Sequence, residues 1–382
     1  MKKILTLLPL LFVLSACSET PEEPVFDDRS LVDEDCVHLE NIGDYQPIWC
    51  DEFDYEGIPA ADKWGYDVGG SGWGNQELQY YTRADIDNAF VEDGVLNIRA
   101  MEERMGGRDY TSARLVSKYF MDMTYGRVVI RAKMPEGRGT WPALWMLPTE
   151  WRYGGWPDSG EIDIMEYVGY QPNTIHGSIH TGAYNHMIGT QLTFERRVET
   201  VEEEFHIYEM VWEPGRIDLF VDDILFAYFG YNPNANIDVK NTDAWPFDQP
   251  FHLIMNLAIG GTWGGALGVD ESIFPQTMQV DYVRVYQKDY AGMDQRPPST
   301  VTEVELLKKT ETTLQFGWDK ATDDVAVKDY DVFVNGMLYE TTSVNGIFIE
   351  RLDPNTEYDI TIITKDFKDQ TSEPFTTTVS TE

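Results

Sequence analysis

Glu161-Ile162-Asp163-Ile164-Met165-Glu166 sets three carboxylates among aliphatic residues, the third one position later than strict alternation requires. Side chains of an extended strand alternate between its faces, so Glu161 and Asp163 share one face and Ile162 and Ile164 the other. One bulged residue, which the pattern places at Met165, returns Glu166 to the carboxylate face. The stretch therefore reads as a strand backed by core that presents three acids to a groove. Acids that close repel one another, so at least one pKa should rise. Paired carboxylates of this kind, one as acid/base and one as nucleophile, suit cleavage of glycosidic bonds.

The neighbouring segments extend the same face. In Ile175-His176-Gly177-Ser178-Ile179-His180 the histidines and the serine fall on one side and the isoleucines on the other. In Trp141-Pro142-Ala143-Leu144-Trp145 the two tryptophans share a side. Sugar rings offer apolar faces that stack on indoles and polar edges that need hydrogen bonds. Large aromatics fill cores by default, and the acidic strand is what tips these toward a groove. His176 and His180, with His186, would chelate a metal from a helix. On a strand that i, i+4 pair lies about 13 Å apart, so a neutral His180 bonded to a sugar or a carboxylate is expected, or else a structural histidine. Glu161 and Glu166 are also roughly 13 Å apart along the strand once the bulge is discounted. Retaining hydrolysis needs carboxyl groups about 5–5.5 Å apart, so curvature and long side chains must close the gap.

Short β-type runs separated by Gly, Pro, Asn and Asp dominate residues 45–288, among them 95–99, 125–134, 175–180, 217–222 and 280–286. They predict an all-β chain with a sandwich of two antiparallel sheets. Ten of the 11 tryptophans lie between Trp49 and Trp263, and only Trp318 lies beyond. That shift, with Gly292, Pro297 and Pro298, marks a linker over 289–298 and a second small domain over 299–382.

The N-terminus opens with Met1-Lys2-Lys3, an apolar run to Leu14, then Ser15-Ala16-Cys17. The run is too short to span a bilayer and reads as a secretory signal. Its last residues resemble a bacterial lipoprotein cleavage site. That resemblance implies removal of residues 1–16, lipidation of Cys17, and attachment to a bacterial outer membrane or cell surface. An ordinary signal cleavage with an incidental cysteine is the alternative. Residues 17–44 read as an acidic, disordered tether. Cys36 and Cys50 either pair in an oxidising compartment or stay as buried thiols. The formal net charge of −37 excludes nucleic acid and other polyanions as ligands and suits a neutral polymer.

Several further segments, in order, resemble glycoside hydrolase family 16, in particular its laminarinase-like β-1,3-glucanases. They are Trp49-Cys50-Asp51-Glu52-Phe53, Gly72-Trp73-Gly74-Asn75-Gln76-Glu77, Tyr110-Thr111-Ser112-Ala113-Arg114 and Gly139-Thr140-Trp141-Pro142-Ala143-Leu144-Trp145. The acidic strand, His176 to His180, and Asn256-Leu257-Ala258-Ile259-Gly260-Gly261 complete the set. The resemblance implies a concanavalin A-like β-jelly roll and a retaining double displacement on a β-glucan by a monomer. It assigns Glu161 as nucleophile, Glu166 as acid/base and Asp163 as the assisting carboxylate. Asn75, Arg114, Trp141, Trp145, Trp156, His180 and Trp263 fall at sugar-contacting positions; Arg114 could instead be a structural ion pair and Trp263 core. It implies no catalytic cofactor, and a structural Ca2+ at Glu52, Gly94 and Asp281, held mostly by main-chain carbonyls. Laminarin-type β-1,3-glucan is the expected substrate and mixed-linkage glucan a second. A non-catalytic β-glucan-binding protein, or a hydrolase of agarose or carrageenan on the same fold, is the alternative. Residues 299–382 resemble a fibronectin type III domain, with Trp318, Tyr330, Leu352 and Tyr358 as its core, a spacer rather than a glucan binder.

Overall fold

The structure is a computed structural model that describes residues 34–382. The leader, Cys17 and most of the tether lie outside the described residues. The chain is all-β. Two large, mainly antiparallel sheets stack on one another, and two smaller sheets follow.

The eight-stranded sheet positions the acids. Its main path runs Leu192–Arg197, Thr174–His180, Glu161–Tyr167, Thr140–Pro148, Phe251–Ile259, Arg114–Val116 and Gly65–Tyr66, with Asp122–Met123 added beside Phe251–Ile259. Its inner face is the apolar half of each alternation. Leu144, Met146, Ile162, Ile164, Met165, Ile175, Ile179, Met255 and Leu257 all enter one core. The ten-stranded sheet closes that core with Ile98, Ile130, Met210, Trp212, Leu219 and Val283. Ile162, Ile164 and Met165 have no accessible surface, and burying each is worth about 1.5–3 kcal/mol. The carboxylates are therefore held up by a strand whose other side is anchored firmly.

The predicted bulge exists, displaced by one residue. Leu144 pairs with Met165 and Trp145 with Asp163, so Ile164 is the extra residue seen from the tryptophan-bearing strand. From the other side, Ile164 and Met165 together oppose Gly177. Both point into the core, where two apolar side chains in succession lose nothing. A Cβ at Gly177 would come within 2.6 Å of Leu219 and 2.8 Å of Phe226, so the residue opposite the bulge must be small.

Residues 34–44 correct the tether's expected end. A disulfide joins Cys36 to Cys50. Leu39 and Ile42 pack on Tyr45, Val129 and Tyr286, outside the ten-stranded sheet. That segment is part of the folded body.

The C-terminal strands form a three-stranded sheet (Thr302–Lys309, Leu314–Asp319, Gly346–Ile349) and a four-stranded one (Met337–Thr342, Val327–Val334, Glu357–Asp366, Phe375–Ser380). Their shared core contains Trp318, Tyr330 and Tyr358, with Leu352 packed at its margin. The small sandwich also touches the large one directly. Gln315 exchanges hydrogen bonds with the main chain of Asn236 and Asp238, and Asn241 donates to the Gly346 carbonyl at 2.6 Å. The Tyr290 and Phe367 rings stack 4.4 Å apart. Segment 289–298 is thus one of several connections.

Candidate active site

Register carries the acids onto the outer face together. Glu161 lies opposite His180, Asp163 between Trp145 and Ser178, and Glu166 between Ala143 and His176. Because the bulge is on one strand only, Glu161 and Glu166 are separated by four positions on the neighbouring strand. Asp163 is 3 % exposed although it faces away from the core, so the acid row is recessed beneath its surrounding loops.

Two indoles fix the outer carboxylates. Trp156 Nε1 donates to Glu161 Oε2 at 3.0 Å, and Trp141 Nε1 donates to Glu166 Oε1 at 3.1 Å. Trp156 comes from the loop before the acidic strand, whose last residue, Gly160, has φ +91 and no room for a Cβ against Phe247 and Pro246. His180 Nε2 lies 3.3 Å from Asp163 Oδ2 and 3.7 Å from Glu161 Oε1. Trp156 and His180 both flank the His186 ring.

Burial dominates the electrostatics. It pushes Glu161 up to about 8, with the neighbouring charges of Asp163 and Glu166 adding to the rise. It lifts Glu166 to about 8 with help from Asp163, and Asp163 itself to about 8. The expected rise is therefore present in all three, and desolvation outweighs mutual repulsion as its cause. Burial also lowers His176, and lowers His186 with His180 contributing, which favours neutral rings. Asp163 Oδ2, His176 Nε2 and His180 Nδ1 are buried without a hydrogen-bond partner among the described residues. Unpaired polar atoms are rare in cores and collect where a ligand completes them.

The other residues singled out by sequence divide into two groups. Trp263 packs edge-on against Trp141 at 5.5 Å and His176 at 4.9 Å, beside the Glu166 end of the row. Arg114 stacks between Trp73 and Trp145, 4.8 and 4.6 Å from their centroids, and faces Asp67 at 2.9 Å. Trp145 also donates to Asn256 Oδ1 at 2.7 Å. Asn75 lies farther along, its amide 3.5 Å from Glu77.

A second buried network escaped the sequence expectations. Asn256 donates to Tyr81, Tyr81 to Glu77, and Gln79 to Glu77 at 2.6 Å. Burial raises Glu77. The alternation Glu77-Gln79-Tyr81 was the available signal, since polar residues at i, i+2 and i+4 share a strand face. The network props Trp145 from beneath.

Glu52 and Asp281 sit far down the other sheet. Asp51 pairs with Val283 and Leu96 with Val280, which draws Glu52, Gly94 and Asp281 toward one stretch of strand. Glu52 is gripped at both oxygens by Arg284, at 2.7 Å each, and Asp281 faces Arg131.

A recessed carboxylate row with indole donors, on the outer face of a β-sandwich, defines a glycosidase of the sandwich type. The chain belongs to one such family: residues 73–284 match Glycosyl hydrolases family 16. It is 57% identical over 247 residues to a beta-glucanase of Rhodothermus marinus, covering 64% of this chain and 85% of that protein. The solved laminarinase of Rhodothermus marinus is 56% identical, with a TM-score of 0.62 over 64% of this chain and 98% of that one. The family 16 structure of SCLam, a non-specific endo-β-1,3(4)-glucanase, is 44% identical, with a TM-score of 0.61 over 65% of this chain and 94% of that one.

Proposed function

We propose that this glycoside hydrolase is a retaining endo-β-1,3-glucanase of laminarin-type polymers, with mixed-linkage β-glucan as a second substrate. The observation that carries the mechanism is the pair Glu161 and Glu166, each held by its own indole N–H, with Asp163 between them. The Glu161 carboxylate attacks the anomeric carbon while Glu166 protonates the departing glycosidic oxygen. The bond between sugar and leaving oxygen breaks as the ester to Glu161 forms. Glu166, now ionised, takes a proton from water, whose oxygen displaces Glu161 with net retention.

The three acids share protons as one unit. Glu161 has the Trp156 N–H and nearby His180 to favour its anion, and Glu166 has the Trp141 N–H and the more distant influence of His180. Burial raises Asp163 to about 8, level with its two neighbours, so a proton is shared along the row and not held by one member. Trp141, Trp156 and Trp263 supply the stacking walls, while Arg114 and the Glu77 network position Trp145. Asn75 and His180 supply polar contacts.

Incubation with laminarin, reading new reducing ends and the initial anomer by proton NMR, tests the proposal. Early β-anomer with internal chain cuts is the expected outcome. Binding without cleavage would support the glucan-binding alternative, and faster turnover of agarose or carrageenan than of laminarin would reassign the substrate.

We further propose a lipid anchor at Cys17 after loss of residues 1–16, a monomeric enzyme at a bacterial surface, and a fibronectin type III-like spacer over 299–382. Mass spectrometry of the membrane-extracted protein tests the anchor: an unmodified Cys17 removes it. A structural Ca2+ would use main-chain carbonyls of Glu52 and Gly94 and share Asp281 with Arg131, with no part in the chemistry. Chelation that leaves both Tm and bound metal unchanged in the isolated enzyme removes that site.

A further inference from the structure

A second acid cluster, buried at one end and open at the other, lies where the small sandwich meets segment 289–298. Asp294, Asp323 and Asp324 bring carboxylate oxygens within 4.8 Å of one another. Asp294 follows the short helix Tyr290–Met293, while Asp323 and Asp324 precede the strand Val327–Val334. Asp366, at the end of the strand Glu357–Asp366, reaches hydrogen-bonding distance of Asp294.

Each of three carboxylates has one oxygen pinned and the other left over. Asp294 Oδ1 accepts from Arg296 N and Gln370 Nε2, Asp323 Oδ2 from Val325 N and Ala326 N, and Asp366 Oδ1 from Lys368 N and Gln370 N. Asp294 Oδ2, Asp323 Oδ1 and Asp366 Oδ2 are buried and, as ionised carboxylates, meet no hydrogen-bond donor among the described residues. Asp294 is 1 % exposed and Asp366 0 % exposed, even though the cluster lies toward the periphery of the molecule. The nearby Lys368 ammonium goes to the Asp294 main-chain carbonyl and not to a carboxylate. Burial, then the charges of Asp366 and Asp324, raise Asp294. Facing acids in such a place need a proton or a cation between them.

We propose that Asp294, Asp323, Asp324 and Asp366 form a Ca2+ site that locks the small sandwich onto the catalytic one. Oxygen-only ligands from several segments, in an irregular arrangement, select a hard cation with flexible coordination. Asp324 is the exposed member and gives the ion a way in. Next to the site, Phe367 stacks on Tyr290 and packs edge-on against Tyr125 at 6.0 Å. Bound Ca2+ therefore fixes the aromatic contact between the two sandwiches. The site is separate from the catalytic row and from Glu52, Gly94 and Asp281.

The test uses the full chain as wild type, Asp366→Asn and the exposed-ligand variant Asp324→Asn, each stripped of metal and titrated with Ca2+. Bound equivalents are counted by calorimetry and atomic emission, and amide hydrogen exchange is followed over 289–298 and 366–372. Wild type is expected to bind one equivalent more than Asp366→Asn. Its exchange in both segments slows by roughly tenfold or more on adding Ca2+, while that of Asp366→Asn does not. Asp324→Asn, which alters only an exposed side chain, weakens the same equivalent. Equal stoichiometry and affinity in all three proteins would overturn the site and leave a shared proton in its place.

Discussion

Glu161, Asp163 and His180 gather three ligand-type atoms within 4.8 Å of one another, and so do Asp294, Asp323 and Asp324. What differs is their company. The first cluster holds its own histidine beside Asp163, and Glu161 and the neighbouring Glu166 each take an indole N–H. The second has main-chain N–H groups and one amide on its outer oxygens, and no donor among the described residues on the inner ones. Directed donors stabilise a carboxylate that must ionise, move a proton and form a bond. A shell that pins one oxygen and leaves the other unpaired pre-forms a cation cage. Proximity of acids alone does not separate the two roles.

The sharpest way to break this comparison is to remove the nucleophile. Glu161→Ala is expected to lose on the order of 10^4-fold or more in kcat, with azide restoring turnover as a glycosyl azide of inverted anomer. A variant retaining full activity would relocate the chemistry. Glu166→Gln should lose roughly 10^2–10^4-fold on laminarin and much less on a glucoside with an acidic leaving group, which needs no proton.

Asp163→Asn probes the coupling. Asp163 raises Glu166, so its removal lets Glu166 give up its proton at lower pH. The alkaline limb of kcat/KM, expected near the value of about 8 in the wild type, moves toward neutrality. An unmoved limb would show that the acids do not titrate together.

Stability gives a smaller effect. Glu161 is raised from 4.5 to about 8, so the folded chain keeps a proton that the unfolded chain has lost across that window. The stabilisation is complete below pH 4.5 and disappears as pH climbs through 8. Glu161→Gln lacks this dependence. Its Tm should exceed that of the wild type at pH 8 by roughly 2–4 °C, and the gap should close near pH 4. The least effect belongs to the other cluster: Asp366→Asn leaves kcat/KM on laminarin unchanged while altering Ca2+ binding.

Much of the catalytic face was legible because strand alternation is a local rule. Glu161 with Asp163, and His176 with His180, fell on the outer side as their spacing requires. The bulge was legible as a count of residues but not as a position. Ile164 and Met165 are both apolar and both buried, so sequence gives no reason to prefer one. Trp156 was expected to meet sugar, but its N–H to Glu161 depends on a loop closing over the strand, which no periodicity reports. The folding of residues 34–44 onto the large sheet was hidden by their acidic neighbours. The Asp294 cluster was hidden because its members are dispersed over about seventy positions and meet only through the contact of two sandwiches.

The single extra residue at Ile164 makes catalysis a matter of counting. Deleting it would restore strict alternation and leave Glu166 facing outward, between Ala143 and His176, with Met165 alone opposite Gly177 and Tyr167 still wholly buried. Regularising the strand with every residue kept, by contrast, would turn Glu166 inward and separate the acid from the nucleophile with all three carboxylates still written in the gene.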